Sequence, residues 1–257
     1  MTVSIVNGGL SLLFQELIPA ISVTSTELTP ATSSILAATL LGTLSELCGL
    51  HWSEQDLFRR TMALEQLLTT GGGWQDQVGG VLHGLKLIET EAGLAQTPTV
   101  RWLPGDCIGN NLTLLYYTGI TRVAADILRE IVRRMFLNAR ATLDIVGEIG
   151  RHAASTADLL QRNDWNSFGA AIATSWQLNQ RLDAGTNPPA VQAILDQVGD
   201  YLTGAKLLGA GGFMLMIAKD DAAAHRIRAT LSERPPNAKA RFVNLRISTT
   251  GLQVTRS

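Results

Sequence analysis

Asp76 lies in the run Gly71-Gly72-Gly73-Trp74-Gln75-Asp76-Gln77, which Gly79-Gly80 closes. Five glycines within ten residues let a backbone approach a ligand closely and weaken any regular element built on them. A carboxylate held at such a turn can orient a substrate hydroxyl or accept its proton. Eleven positions earlier, Glu65 interrupts an apolar helix face near Met62, Leu64 and Leu68. A carboxylate there could ligate a metal; equally it could face solvent, with Asp76 serving as a helix cap. Thr32-Ser33-Ser34 opens a long helical pattern. Unpaired N–H groups at a helix start attract phosphate, and hydroxyls beside them can reach a magnesium ion that bridges phosphates. The same three residues also fit a plain Ser/Thr cap.

Two further stretches could contribute. Gly209-Ala210-Gly211-Gly212 is a tight loop ahead of an apolar strand, suited to close approach of backbone to phosphate or to a simple connection. In Tyr116-Tyr117-Thr118-Gly119-Ile120-Thr121-Arg122 a strand runs into a helix. Thr121 can cap that helix. Arg122 can present its guanidinium fork to an anion or pair with Asp126 four residues on. His51, His83, His152 and His225 share no motif, and Cys48 and Cys107 have no metal-ligand spacing, so a structural zinc site is not indicated.

The elements that must position these groups follow from periodicity and breakers. Short strands are expected at Thr2–Val6 and Leu17–Val23, then a loop through Pro30. A helix rich in small residues runs from Thr32 to about Cys48, and Gly49 ends it. Ser53 with Asp56 caps a second helix through Leu68. Strands are expected at Val81–Glu89, Val100–Leu103 and Leu112–Tyr117. Helical spacing covers Thr121–Phe136, Ala141–Gln161 and Trp165–Leu182, and Pro188-Pro189 opens another helix. Ala205–Leu208 and Phe213–Ala218 are strands, Asp220–Leu231 a helix, and Arg241–Ile247 and Leu252–Thr255 closing strands. Helices and strands mix without a regular βαβ repeat, so the class is α+β. A boundary near Gly105–Asn110 divides the chain into residues 1–108 and a helix-rich 109–257.

The chain has 257 residues, enough for one large or two small domains. Apolar residues make up 46% and charged residues 17%, with a formal net charge of −1. Arg129, Arg133 and Arg134 form the nearest approach to a basic cluster, which does not suggest nucleic acid or an anionic membrane as partner. Met1–Leu10 lacks the pattern of a signal peptide, and no apolar run reaches membrane-spanning length; a cytoplasmic location is expected.

Taken together, these stretches resemble the GHMP small-molecule kinase superfamily and, within it, the L-fucokinase branch. The matching segments are Thr32-Ser33-Ser34-Ile35-Leu36-Ala37-Ala38, Leu64-Glu65-Gln66 leading through the Gly71–Gly80 run, Lys86-Leu87 with Thr90-Glu91-Ala92-Gly93, and Val100-Arg101-Trp102-Leu103-Pro104. Tyr116–Arg122, Gly185-Thr186-Asn187-Pro188-Pro189-Ala190-Val191, Gly209–Gly212 and Gln253-Val254-Thr255-Arg256-Ser257 continue the match. The resemblance covers the chain from about Thr32 onward. It implies a partial GHMP-kinase fold that transfers the γ-phosphoryl group of ATP, with Mg2+, to the anomeric hydroxyl of L-fucose or a close relative. Asp76 then aligns with the catalytic aspartate and Glu65 with the magnesium-binding glutamate. Thr32, Ser33 and Ser34 align with the motif that contacts phosphates, Ser33 also reaching magnesium. Gly209, Ala210, Gly211 and Gly212 align with the C-terminal glycine loop. Trp74, Gln75, Thr118, Arg122 and Asn187 are the implied substrate contacts.

Three features depart from the family pattern. The family's Gly-x-Gly-Leu-Gly phosphate loop is replaced by Thr26-Glu27-Leu28-Thr29-Pro30-Ala31, in which Pro30 offers no N–H and Glu27 adds negative charge. Residues 1–31 are shorter than the family's N-terminal region, so an incomplete first lobe is expected, with unpaired strand edges that favour self-association. The C-terminal glycine loop is also short. Two functional readings therefore stand: a fucokinase-type sugar kinase, or a degenerate kinase module that acts in binding without catalysis.

Overall fold

A computed structural model describes residues 3–5, 16–19, 21–23, 32–67, 75–90, 98–105, 108, 111–120, 124–208 and 212–252. In chain order the strands are β1 (Val3–Ile5), β2 (Glu16–Pro19), β3 (Ile21–Val23), β4 (Leu85–Glu89), β5 (Thr99–Leu103), β6 (Thr113–Tyr117), β7 (Leu202–Leu208), β8 (Phe213–Ala218), β9 (Arg241–Val243) and β10 (Arg246–Ile247). The helices are α1 (Thr32–Leu47), α2 (Glu54–Leu67), α3 (Gln75–Val81), α4 (Ala124–Phe136), α5 (Arg140–Gln161), α6 (Trp165–Leu182), α7 (Pro189–Val198) and α8 (Asp221–Glu233). The mixture is α+β, as the patterning predicts.

Local chemistry sets the helix ends. Ser53 and Asp56 form a reciprocal cap on α2: the Asp56 N–H donates to Ser53 Oγ at 3.1 Å and the Ser53 N–H to Asp56 Oδ2 at 3.1 Å. The Ser53 contact holds the Asp56 carboxyl below its ordinary pKa. Gly49, at φ +64°, ends α1. Asp164 and Asp220 cap α6 and α8 by accepting N–H bonds from Ser167 and Ala223. Pro189 begins α7, where its missing N–H costs nothing.

Three antiparallel sheets result, ordered β1-β3-β10, β2-β4-β5 and β7-β8-β6-β9. Two stretches expected as single strands are split between sheets. The segment around residues 17–23 divides after Pro19, with β2 on β4 and β3 between β1 and β10. A proline cannot donate to a ladder, which suits it to a strand end. The segment 241–247 likewise divides: β9 extends the four-stranded sheet beside β6, and β10 crosses to β3. The run at 81–89 also differs. Helix α3 continues to Val81, and the strand starts only at Leu85. The strand expected at Leu252–Thr255 is not formed at Leu252, and residues 253–257 lie outside the described residues.

One core cluster gathers Leu85, Leu87 and Leu103 from the β2-β4-β5 sheet, Ala157, Leu160 and Phe168 from α5 and α6, and Leu115, Phe213 and Leu215 from the four-stranded sheet. A second cluster packs α7 and α8 on the other face of that sheet through Val191, Ile194, Ile227 and Leu231. A third, around Ala38, Phe58, Val78, Val81 and Ile88, holds α1, α2 and α3 together. No helix among the described residues is long and apolar enough to cross a membrane.

Candidate active site

The α1–α2–α3 cluster brings the predicted acidic pair together. Glu65 leaves α2 toward the start of α1 and is only 5% exposed. Its Oε1 accepts the Ser34 hydroxyl at 2.5 Å, and its Oε2 accepts the side-chain amide of Gln77 from α3. A buried carboxylate needs such donors, because desolvation without them is costly. The solvent-facing alternative for Glu65 is therefore not the one adopted.

Asp76, in the first turn of α3, faces the same group. It is half-buried, and its Oδ1 is sealed from solvent with no hydrogen-bond partner. Burial, and next the negative charge of Glu65, push its pKa from 3.8 up to about 7. Asp76 is thus in a helix rather than in an open glycine turn. Gly80 allows this helix to lie close to α1: a Cβ there would stand 3.1 Å from Ile35 Cγ1. Gln75 is also buried, at 4% exposed.

The buried hydroxyl, the carboxylate of Glu65 and the orphaned Asp76 oxygen form a set of hard oxygen donors. Magnesium is held by one or two carboxylates plus waters and substrate phosphates, so these residues fit it. The described residues hold no group of three or more His, Cys, Asp or Glu that could cage a metal without such help. Ser34 meets Glu65; the side chains of Thr32 and Ser33 lie outside the described residues, although both begin α1. Trp74, Arg122, Gly209, Ala210 and Gly211 also lie outside them.

Thr118 and Gly212 are brought together. The Thr118 N–H donates to the Gly212 carbonyl at 2.8 Å and its hydroxyl to the same oxygen at 3.3 Å. Asn237, which sequence reasoning missed, locks this turn: its Nδ2 donates to the Thr118 carbonyl at 2.7 Å. Gly119, at φ +68°, is required there, since a Cβ would fall 2.1 Å from Asn237 Oδ1. The only sequence sign of Asn237 is its place in the Pro235-Pro236-Asn237 turn. Asn187 lies between α6 and α7, where its Nδ2 donates to Gln180 and Gln192 at 3.1 and 2.7 Å.

Comparison with known proteins finds similar sequences and a shared fold. Residues 156–237 match the family of GHMP kinases C terminal. The chain is 52% identical over 232 residues to L-fucokinase/L-fucose-1-P guanylyltransferase of Bacteroides fragilis, covering 88% of this chain and 24% of that protein. It is 31% identical over 208 residues to bifunctional fucokinase/GDP-fucose pyrophosphorylase of Arabidopsis thaliana, covering 79% and 20%. The chain therefore spans about a quarter or less of the length of these relatives. Lactococcus lactis galactokinase complexed with galactose shares the fold at a TM-score of 0.64 and 13% identity, over 88% of this chain and 67% of that one. Residues 156–237 are thus similar to the C-terminal domain of GHMP kinases, and the chain shares its fold with the solved galactokinase.

Proposed function

We propose that this chain carries the phosphoryl-transfer site of a cytoplasmic sugar kinase that moves the γ-phosphoryl group of ATP to the anomeric hydroxyl of L-fucose. The observation that carries the reading is the buried Ser34–Glu65–Gln77 group with the unpartnered oxygen of Asp76 beside it. The fucokinase names of the two sequence relatives point to the sugar. A degenerate module would have no reason to keep a buried acidic pair, which lowers stability wherever it has no ligand to hold.

Glu65 and the serine hydroxyls at the start of α1 would hold magnesium, which supplies charge neutralisation to the phosphates when bound. The remaining work falls to the chain itself. The amino end of α1 presents N–H groups to anionic oxygens. Asp76 Oδ1 orients the sugar hydroxyl and takes its proton; an acid with a pKa about 7 is matched to that task at neutral pH. Phosphoryl transfer needs positioning and charge stabilisation more than covalent chemistry, so few groups suffice.

The test is ATP consumption dependent on L-fucose, with Asp76→Asn beside the unaltered chain. Expected is transfer by the unaltered chain and a loss in kcat of about 10²-fold or more in the variant, with calorimetric binding of Mg-ATP retained. Absence of transfer to L-fucose, or a variant as fast as its parent, would sink the assignment.

A further inference from the structure

Helix α3 spans seven residues and contains Gly79 and Gly80, so it has no stability of its own. Its position must come from attachments at its two ends. At the first turn Gln77 binds Glu65. The other end is gripped from three directions. Lys86, fully buried at the start of β4, donates from Nζ to the carbonyls of Leu82, His83 and Gly84 at 2.8, 3.2 and 3.2 Å. These carbonyls belong to the turn that directly follows the helix and joins it to β4. Trp102, from β5, donates its Nε1–H to the His83 carbonyl at 3.2 Å.

The third grip comes from far along the chain. After β10, the Gly84 N–H donates to the Ser248 carbonyl at 2.9 Å and the Leu252 N–H to the Val81 carbonyl at 2.8 Å. The Ser248 hydroxyl, bonded to the Thr250 carbonyl at 2.7 Å, folds the segment back on itself. Gly251 presses so close that a Cβ would stand 2.4 Å from Val81 O. Leu252 packs against the cluster that holds Val78 and Val81.

We infer that Lys86, Trp102 and the segment Ser248–Leu252 are positioning residues for Asp76: by fixing the carboxyl end of α3 they set where its first turn places the carboxylate beside Glu65. This rests on the phosphoryl-transfer reading of Asp76. Two turns of helix span about 10 Å and behave as a short rod, so displacement at one end is felt at the other. An error of about 1 Å in a reacting group can cost on the order of 10²-fold in rate.

Gly251→Ala in the whole chain tests this, because backbone atoms of Val81 leave its methyl no room. Expected is a fall in kcat of about tenfold or more, with KM for ATP and for L-fucose within about twofold. The side-chain amide resonances of Gln77 should shift in 15N-resolved NMR spectra, while the far-ultraviolet circular dichroism stays that of the parent. Trp102→Phe serves if Gly251→Ala does not fold. Its side chain is half-exposed and loses one donor, so kcat should fall about two- to fivefold with the same pattern. A folded variant with parental kcat, or with Gln77 resonances unmoved, overturns the inference. If the unaltered chain proves unable to phosphorylate L-fucose, the proposed function fails, and the Gln77 resonances alone decide whether the grip positions α3.

Discussion

Asp76 keeps an oxygen in a place where neither water nor a donor reaches it, beside a second carboxylate. Ionisation there is unfavourable in the absence of a cation. Between pH 3.8 and about 7 the folded chain holds a proton that the unfolded chain releases. Stability therefore falls as pH rises through that window and levels off above it. Asp76→Asn should match its parent in thermal stability near pH 4 and exceed it by about 2 kcal/mol above pH 7, the figure allowing for partial exposure of the carboxyl. Thermal melts across this range check it; equal stability at pH 8 would contradict the burial of the charge. Catalysis should show the opposite sense. On the proposed function, the rate should rise with pH through an inflection at or below 7, because Asp76 as proton acceptor would have to be ionised and a cation at Glu65 would favour that form. This inflection should vanish from the residual rate of Asp76→Asn. The identities of Asp76 and Glu65 were legible in sequence as a motif and as a charge on an apolar face. Their mutual contact was not, since it depends on α2 and α3 packing across α1. That the Ser34 hydroxyl turns toward Glu65 was hidden for the same reason, since it depends on how α1 and α2 are rotated against each other.

Close approach of elements places a second set of demands on the chain. Strand β7 lies on α6 through Gly204 and Gly169. A Cβ at Gly204 would stand 2.0 Å from the Gly169 carbonyl and 2.9 Å from the Ala173 N–H nitrogen. Both neighbours are backbone, so neither can rotate away. Gly204→Ala should destabilise by about 3 kcal/mol, read as a shift in the urea midpoint at unchanged slope. A shift under about 0.5 kcal/mol would mean the two elements can separate at no cost. At this scale the sequence was most informative for α5 and α6. Their buried residues Val146, Ile149, Ala153, Ala157 and Leu160, then Phe168, Ile172 and Trp176, recur at helical spacing. Pro189 and Asp220 marked the starts of α7 and α8 by chemistry local to each. Helix α3 was illegible, because Gly79 and Gly80 argue against a helix and the close approach of Gly80 to Ile35 exists only in the folded chain. The division of β2 from β3, and of β9 from β10, was hidden too. Each strand's partner lies far away in sequence, and an apolar run does not say which sheet it will join.

One core cluster joins the β2-β4-β5 sheet to the four-stranded sheet, from Leu85 and Leu87 through Ala157 and Phe168 to Leu115 and Phe213. Loss of volume at its centre should be felt in both halves. Leu87→Ala should cost about 3 kcal/mol. It should lower together the unfolding midpoints reported by Trp52, between α1 and α2, and by Trp176, in the cluster under α7 and α8. Denaturation of single-tryptophan variants checks this, and separate midpoints would show two units that unfold independently. The crossing of β10 to β3 carries a consequence for how the molecule is made. Residues near Asp76 leave the ribosome well before the backbone atoms of Ser248 and Leu252 that grip their helix. On the inferred role of that grip, the acidic pocket is completed only once residues 248–252 have emerged. A nascent chain stalled before residue 248 would hold the Asp76 carboxylate in place on paper but not in space.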